Sequence, residues 1–404
     1  MKKGTFFLVT SIALAASSAY ADDAKGVDLG SGWRFLPGLD ASVLHDSNVY
    51  SQEHDKTAAT AEIIAPKLNF EYLTPANLFR IGYGGSYAFY DSTRADNYSD
   101  NDASVEAKLN QSGHNRVNLK LAHDEGHDAF GTERTETAAA IPAALRERDV
   151  DEYAVESAQL EYIIGAPSST VNVSLAGDYA DKHYTNNRSI GTRYLDRSTA
   201  GGTLGMRYSI SPRTGLLLDL QYHDIEFGHI DPASTVGSRD GKEYRARVGA
   251  QWIATEKVVG RVLVGGFWRN NDASARKDFN SLDWDAQLVY RPVTYSQITF
   301  QTAHSTLESY FDQASFIDVK SVGAKWTHDW SGRFQTGLSG YYYHYEFKGA
   351  DRKDGVFAGS LYGRYELTRW LAARASIDAT DRDSDADDRD FGRYIAQFRL
   401  ELAL

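Results

Sequence analysis

The chain has 404 residues, with 55 acidic against 43 basic side chains, 25 tyrosines, 34 glycines, 8 prolines and no cysteine. A net charge of −12 argues against nucleic-acid binding, and the missing cysteine excludes disulfides, thiol catalysis and cysteine-ligated metals. Past residue 21 no stretch approaches 18 apolar residues, so no membrane helix is expected.

The first element is a leader. MKKGTFFLVTSIALAASSAYA carries Lys2 and Lys3, an apolar run from Phe6 to Ala16, and the small-residue step Ala19-Tyr20-Ala21. This is the pattern of a secretory signal over residues 1–21, cleaved after Ala21, and the apolar run is too short to span a bilayer. Residues 22–30 read as a short N-terminal leader and 31–404 as one domain.

From Trp33 onward the dominant signal is period-2 alternation, which places apolar and polar side chains on opposite faces of an extended strand. FRIGYGGSYAF sets Phe79, Ile81, Tyr83, Tyr87 and Phe89 on one face. EYRARVGAQWIA sets Tyr244, Ala246, Val248, Ala250 and Trp252 opposite Glu243, Arg245, Arg247 and Gln251. The closing YIAQFRLELAL sets Tyr394, Ala396, Phe398, Leu400, Leu402 and Leu404 opposite Gln397, Arg399 and Glu401. Eighteen such segments follow in order, centred near Leu39, Leu68, Tyr83, Val105, Leu119, Leu160, Val173, Leu204, Leu218, Val248, Val262, Trp284, Phe300, Ala324, Leu338, Leu361, Ala375 and Phe398. The two weakest, around Leu39 and Val105, make sixteen the lower count.

The connections alternate in length. LTPAN, NQSGHN, IGAPSS, SISPRT, ATEK, YRPVT, HDWSGR and ELTR are tight. HDSNVYSQEHDKTAA, the stretch 124–152, DKHYTNNRSIGTRY, FGHIDPASTVGSRDG, FKGADRKDG and TDRDSDADDRD are long and charged. Strict alternation of short and long ends is the pattern of an all-β, single transmembrane antiparallel β-barrel in an outer membrane, with short periplasmic turns and long extracellular loops. A soluble sandwich has no reason to alternate in this way. Aromatics fall near both ends of the apolar faces, as two interfacial girdles would. The last strand is expected to close on the first, near Trp33 to Leu44, because only closure leaves no unpaired edge in lipid.

A barrel of this size encloses a water-filled lumen. Arg245, Arg247, Arg261, Arg269, Arg333, Arg364, Arg374, Arg393 and Arg399 fall on polar faces and are candidate basic pore-lining residues. They can act as a stripe that concentrates acidic solutes, or simply pair with Asp283, Asp285, Glu106, Glu161 and Asp378. Tyr341, Tyr343, Tyr345 and Tyr362 are candidate inward aromatics for contact with sugar rings. The third outer loop, DEGHDAFGTERTETAAAIPAALRERDVDE, is the longest, and its ETAAAIPAALRER portion reads as a short helix interrupted by Pro142. Folded inward, it would bring Glu133, Glu136, Glu147, Asp149 and Asp151 towards the basic wall as a constriction. HDEGH (123–127) has two histidines but no helix to fix their spacing. DRDSDADDRD lacks the glycine and glutamate of an EF-hand loop, so no metal is assigned. No catalytic or phosphate-binding motif stands out, and no enzyme activity or cofactor is expected.

The opening of the domain, WRFLPGLDASVLHDSNVYS, then IIAPKLNFEY and FRIGYGGSYAFYDS, resembles the β-barrel porins of the outer membrane often associated with exopolysaccharide and capsule export. The resemblance rests on the D-x-N-V-aromatic step at Asp46, Asn48, Val49 and Tyr50, and on the P-x-L strand at Pro66 and Leu68. It implies an outer-membrane conduit for a secreted polysaccharide, working with a periplasmic and inner-membrane export system. Asp46 and Asn48 are expected to form turns. The terminal residue is Leu404 where such barrels commonly end on an aromatic, but the final alternation still suits the barrel-assembly machinery. Expected partners are therefore outer-membrane lipid, lipopolysaccharide, the assembly machinery and the polysaccharide. The rival readings are an uptake porin for small acidic solutes or oligosaccharides, an outer-membrane hydrolase, and a plugged structural barrel. The sequence leaves the state of association open.

Overall fold

A computed structural model describes residues 26–91, 96–132, 135–136 and 149–404. The signal segment, residues 22–25 of the short leader, residues 137–148 of the segment read as a short helix, and Glu133 lie outside the described residues, Glu147 among them.

A short strand β1 (Val27–Gly30) precedes eighteen long ones. These are β2 (Trp33–Asp46), β3 (Ala59–Leu73), β4 (Leu78–Tyr90), β5 (Tyr98–Leu109), β6 (Asn115–Asp128) and β7 (Asp151–Ile164). Next come β8 (Val171–Tyr184), β9 (Arg197–Ser211), β10 (Thr214–Phe227), β11 (Gly241–Thr255), β12 (Val258–Asn271) and β13 (Phe279–Val293). The ring ends with β14 (Ser296–Leu307), β15 (Phe316–Asp329), β16 (Phe334–Lys348), β17 (Lys353–Thr368), β18 (Leu371–Ser384) and β19 (Phe391–Ala403). Each expected segment centre falls inside one of these strands, the two weakest included. Every strand pairs antiparallel with its neighbour in sequence, and β19 closes on β2 in the register Ile395↔Asp46 to Ala403↔Gly38. β19 stops before the turn-side end of β2, and β1 takes the vacant edge there, Val27 opposite Phe35. Eighteen strands about 4.8 Å apart, tilted by roughly 40°, form a ring about 36 Å across.

The barrel is inside-out relative to a soluble protein. Val248, Leu282, Phe398 and Leu361 are more than half exposed, on the faces that the alternation assigned to lipid. Tyr162, Tyr208, Tyr290 and Tyr365 stand exposed towards the turns, and Tyr222, Tyr244, Trp268, Tyr342 and Tyr394 towards the loops. Among the described residues no helix is long and apolar enough to cross a membrane, so crossing is by strands alone.

The two ends are built with different chemistry. At the turns, Ser and Thr hydroxyls accept the backbone N–H two residues on, as at Ser211 (Arg213 N, 3.2 Å), Thr255 (Lys257 N, 3.1 Å) and Ser331 (Arg333 N, 3.2 Å). At the loop end, Asp carboxylates accept the last N–H of a strand across the loop base. Asp196 takes Tyr184 (2.8 Å), Asp240 takes Phe227 (2.7 Å), Asp278 takes Asn271 (2.9 Å) and Asp390 takes Ser384 (2.7 Å). That recurrent clamp is one physical reason why the long loops are rich in aspartate.

Candidate pore lumen and its outer mouth

Eight of the nine candidate arginines lie on inward strand faces, Arg269 fully buried there, and most are already paired. Arg247 is bound by Asp219 at 2.7 Å, Arg261 by Asp285 at 2.5 Å, and Arg245 lies 3.4 Å from Asp283. Arg364 is held by Glu401 (2.8 Å) and Glu366 (2.9 Å). Arg393 is held by Asp46 across the closing seam, Nε to Oδ1 at 3.0 Å, and Arg399 lies 3.8 Å from Asp40. Arg374 stacks on the Tyr362 ring at 4.0 Å. Arg333 differs from the sequence reading. It sits in the turn before β16, exposed at the turn-side rim and not on the wall. Near the turn end, Arg34, Glu71, Arg80, Glu106 and Lys108 form one chain of alternating charges across four strands. The wall is therefore a set of neutralised ladders more than an unbroken basic stripe.

Tyr341, Tyr343 and Tyr345 form a ladder up the inner face of β16. Their ring centroids are 6.3 and 6.1 Å apart, with planes 24° and 26° from parallel. A Cβ at Gly323 on β15 would collide with the Tyr341 ring, and one at Gly337 on β16 with the Tyr362 ring. Those glycines let the rings lie against the backbone of the wall. The Tyr362 hydroxyl donates to Gln335 at 2.9 Å.

The outer mouth is covered, and the element that covers most of it was not foreseen. β13 and β14 pair only from Val293↔Ser296 up to Asp285↔Ala303, although both strands continue towards the loops. Beyond that point β14 and β15 leave the wall and tip inward. Their even-numbered residues, which face lipid at Phe300 and Val322, now pack on the inner face of β11–β13. His304 Nδ1 meets Asp283 at 2.7 Å and its Nε2 meets Asp318, all three fully buried. Thr306 accepts from Arg245 (2.8 Å) and donates to Glu243 (3.1 Å). Glu308 binds Arg269 at 2.6 Å, and Phe316 stacks edge-on with Phe267 and Phe279.

Three loop arginines hold the tip, residues 308–315, over the mouth. Arg239 donates to the carbonyls of Ser309 and Tyr194, and Arg276 to those of Ser238 (2.8 Å), Gly237 (3.0 Å) and Asp312 (2.8 Å). Burial pulls the Arg239 guanidinium down to about 10 and also lowers Arg276. Arg352 donates to the Tyr310 hydroxyl at 3.0 Å and pairs with Asp354 and Glu136. For Arg352 burial is the largest single influence and acts downwards, but the bonds and charges of Asp354 and Glu136 together hold it above the ordinary range. Tyr310 meets Phe347 of β16 edge-on within the buried cluster that holds Tyr345, and it also packs against the Tyr153–Tyr184–Leu195 cluster, nearly half-way round the ring.

The third loop contributes one of its candidate acids. Glu136 reaches Arg352 at 2.8 Å, contacts Arg382 and lies 3.7 Å from Arg389, on the opposite side of the mouth. Asp149 and Asp151 stay beside their own strand, where the Asp149 carbonyl and the Asp151 carboxylate accept from Asn187 (3.1 and 2.8 Å). The D-x-N-V-aromatic step supports this roof. Asp46 accepts the Asn48 N–H at 2.9 Å, and Asn48 is bonded in both directions to Gln52. Val49 and Tyr50 form an apolar pad with Phe130 and Val150 of the third loop. Gly131, at φ +80°, packs where a Cβ would overlap the Tyr50 carbonyl.

Sequence reasoning missed Arg239, Arg276 and Arg352, as well as the tipped hairpin. A signal existed for each. The arginines stand in SRD, ARKD and DRKD at loop ends, and the lipid-face alternation of β14 fails at His304 and Thr306.

A closed antiparallel barrel with a lipid-facing apolar band, a polar bore and loops gathered over one end defines an outer-membrane porin-like channel. The chain matches the family described as "Putative beta-barrel porin 2" over residues 20–403 and belongs to it. Its place is the bacterial outer membrane. No curated protein matches it significantly. Among solved structures it is similar to OccK2 (OpdF) of Pseudomonas aeruginosa, at 12% identity and a TM-score of 0.51, covering 92% of this chain and 98% of that one. It is also similar to a BenF-like porin from Pseudomonas fluorescens, at 10% identity and a TM-score of 0.50, covering 92% and 99%. The FrpB iron transporter of Neisseria meningitidis matches at 11% identity and a TM-score of 0.52, covering 90% of this chain and 63% of that one. The chain thus spans under two thirds of the length of FrpB.

Proposed function

We propose that this channel exports an acidic polysaccharide across the outer membrane. The observation that carries the reading is the asymmetry of its ends. Several strand-to-strand turns have only two residues, far too few to reach across a ring about 36 Å wide. The loop end is roofed by the β14–β15 hairpin and Glu136. A solute from the periplasm meets Tyr341 and Tyr343 before it meets the roof, under which Tyr345 is buried, whereas a solute from outside meets the roof first. The ring faces offer weak, repeated contact to sugars. The Arg364–Glu401 and Arg399–Asp40 ladders, with Arg374, supply exchangeable partners for sugar carboxylates. After removal of residues 1–21 the barrel would be inserted by the assembly machinery among lipopolysaccharide. It would receive polymer from a periplasmic and inner-membrane export system.

The second reading is uptake of small acidic solutes, favoured by one observation on a similar fold: OccK2 has been crystallised in complex with glucuronate. Single-channel recording in planar bilayers with an acidic oligosaccharide separates the two. Export predicts brief blocking events when the sugar is added on the turn side, and few or none from the loop side. Equal block from both sides, or block from the loop side alone, overturns export in favour of uptake, and a silent barrel overturns both.

A further inference from the structure

A group of metal-type ligands lies on the lipid side of the barrel, away from the lumen. On β7 the even-numbered residues face outward, as the exposure of Leu160 and Ile164 shows, and Glu156 shares that face. On β8 the odd-numbered residues face outward with Leu175 and Tyr179, and Asp181 and His183 continue that row. On β6 Leu121 is followed on the same face by His123 and Glu125. Register brings these rows together: Glu156 stands opposite His123 on one side and Asp181 on the other. All are half-exposed. Glu156 lies four residues beyond Leu160, roughly 13 Å along the strand, above the apolar band and level with the outer-leaflet headgroups.

We propose that Glu156, Asp181 and His183 bind a divalent transition-metal ion of the zinc class on the outer surface of the barrel. One ligand atom from each lies within 4.8 Å of the others. His183 Nδ1 is 3.5 Å from Glu156 Oε2 and 3.4 Å from Asp181 Oδ2. Those separations are too long for good hydrogen bonds. They match the edge of a tetrahedron with metal–ligand bonds of about 2.1 Å, which is roughly 3.4 Å. An imidazole nitrogen with two carboxylate oxygens suits zinc, whereas calcium and magnesium select all-oxygen sets. His123 Nδ1 lies 3.2 Å from the other Glu156 oxygen, the position of an outer-shell partner that fixes a ligating carboxylate. The Asn101 side chain donates to Glu125 at 3.0 Å and holds the adjoining acid. Three protein donors leave one tetrahedral position open towards the outer leaflet, where water or a lipid phosphate oxygen completes the set.

The test is titration of the purified full chain in detergent with zinc chloride, by calorimetry and by metal analysis after gel filtration. Cobalt chloride is added in parallel for its visible four-coordinate absorption. One zinc per chain and a tetrahedral cobalt band are expected. His183→Ala and Glu156→Gln should each weaken zinc binding at least about tenfold, and His123→Ala by a smaller factor. His45→Ala, on the outer face of β2, should change nothing. Every substituted side chain is exposed, so heat-resistant migration of the folded barrel should persist in each variant. Wild-type protein that binds no more zinc than the folded His183→Ala/Glu156→Gln double variant overturns the proposal, as does equal loss in His45→Ala.

Discussion

Asp46 shows how much one carboxylate does here. It is buried, accepts the Asn48 N–H to shape the first loop, and holds Arg393 of the closing strand. Removing its charge leaves that guanidinium facing a neutral amide at the seam. Asp46→Asn should cost about 2–3 kcal/mol, below the range for fully buried pairs because Arg393 keeps contact with water. Urea unfolding of the refolded barrel in lipid measures this, and an unchanged midpoint would show that the seam does not need the pair. Tyr343 has a different role, since it stands half-buried in the middle of the ladder, between Tyr341 and Tyr345. Tyr343→Ala should leave the fold intact and weaken turn-side block by an acidic oligosaccharide roughly fivefold, equivalent to about 1 kcal/mol of ring contact. Unchanged block constants would remove the ladder from the transport path.

Among the elements, the β14–β15 hairpin decides whether the bore is open. It is ordinary wall from Ser296 to Ala303 and a roof beyond that point, because His304, Thr306 and Glu308 find charged partners on β11–β13 that lipid could not supply. Replacing residues 309–314 with two glycines removes the hairpin carbonyls that accept from Arg239 and Arg276, and the Tyr310 contact with Arg352. Single-channel conductance should then rise several-fold. No change would mean that the third loop alone sets the closure. The strands also carry a sharp distinction between faces. Leu361→Arg places a charge in lipid near the middle of β17 and should cost about 2–4 kcal/mol. Ser360→Arg, one residue away and pointing inward, should cost little. Comparing the two by urea unfolding checks the facing of the whole strand, and equal costs would reverse it.

For the whole molecule the requirement is closure. Eighteen strands satisfy every backbone group in the hydrocarbon only if β19 meets β2, and the Ile395–Ala403 register makes that join. Deleting residues 391–404 exposes the edges of both β18 and β2. The shortened chain should yield no heat-resistant folded band after refolding, and recovery of such a band would show that seventeen strands can close without the last. The overall charge of −12 has a matching explanation at this scale. Part of the acidic excess clamps loop bases, as at Asp240 and Asp278, where the partner of the carboxylate is a backbone N–H and no cation cancels its charge.

The sequence by itself determined the barrel, its strand order, its lipid face and which end carries the loops. Strand periodicity is a local property, and lipid forces every strand to obey it. Alternation also puts the candidate arginines on inward strand faces, with Arg333 the exception because it lies in a turn, but it does not say which inward residues stay open to water: Arg269 and Tyr345 are buried beneath the roof. Tertiary structure alone decided which partners the inward groups take. Whether Arg245 stays free or binds Asp283, and whether Tyr345 stays open or is buried beneath the roof, depends on contacts between residues tens to hundreds of positions apart. The outward gathering of Glu156, Asp181 and His183 has the same origin: three side chains meet because two strands share a register that no spacing within either strand records. The tipped hairpin was hidden for a further reason. A strand that leaves the sheet keeps its period of two, so the polar His304 and Thr306 mark where the lipid face ends, and only the partners across the mouth show what that face meets instead.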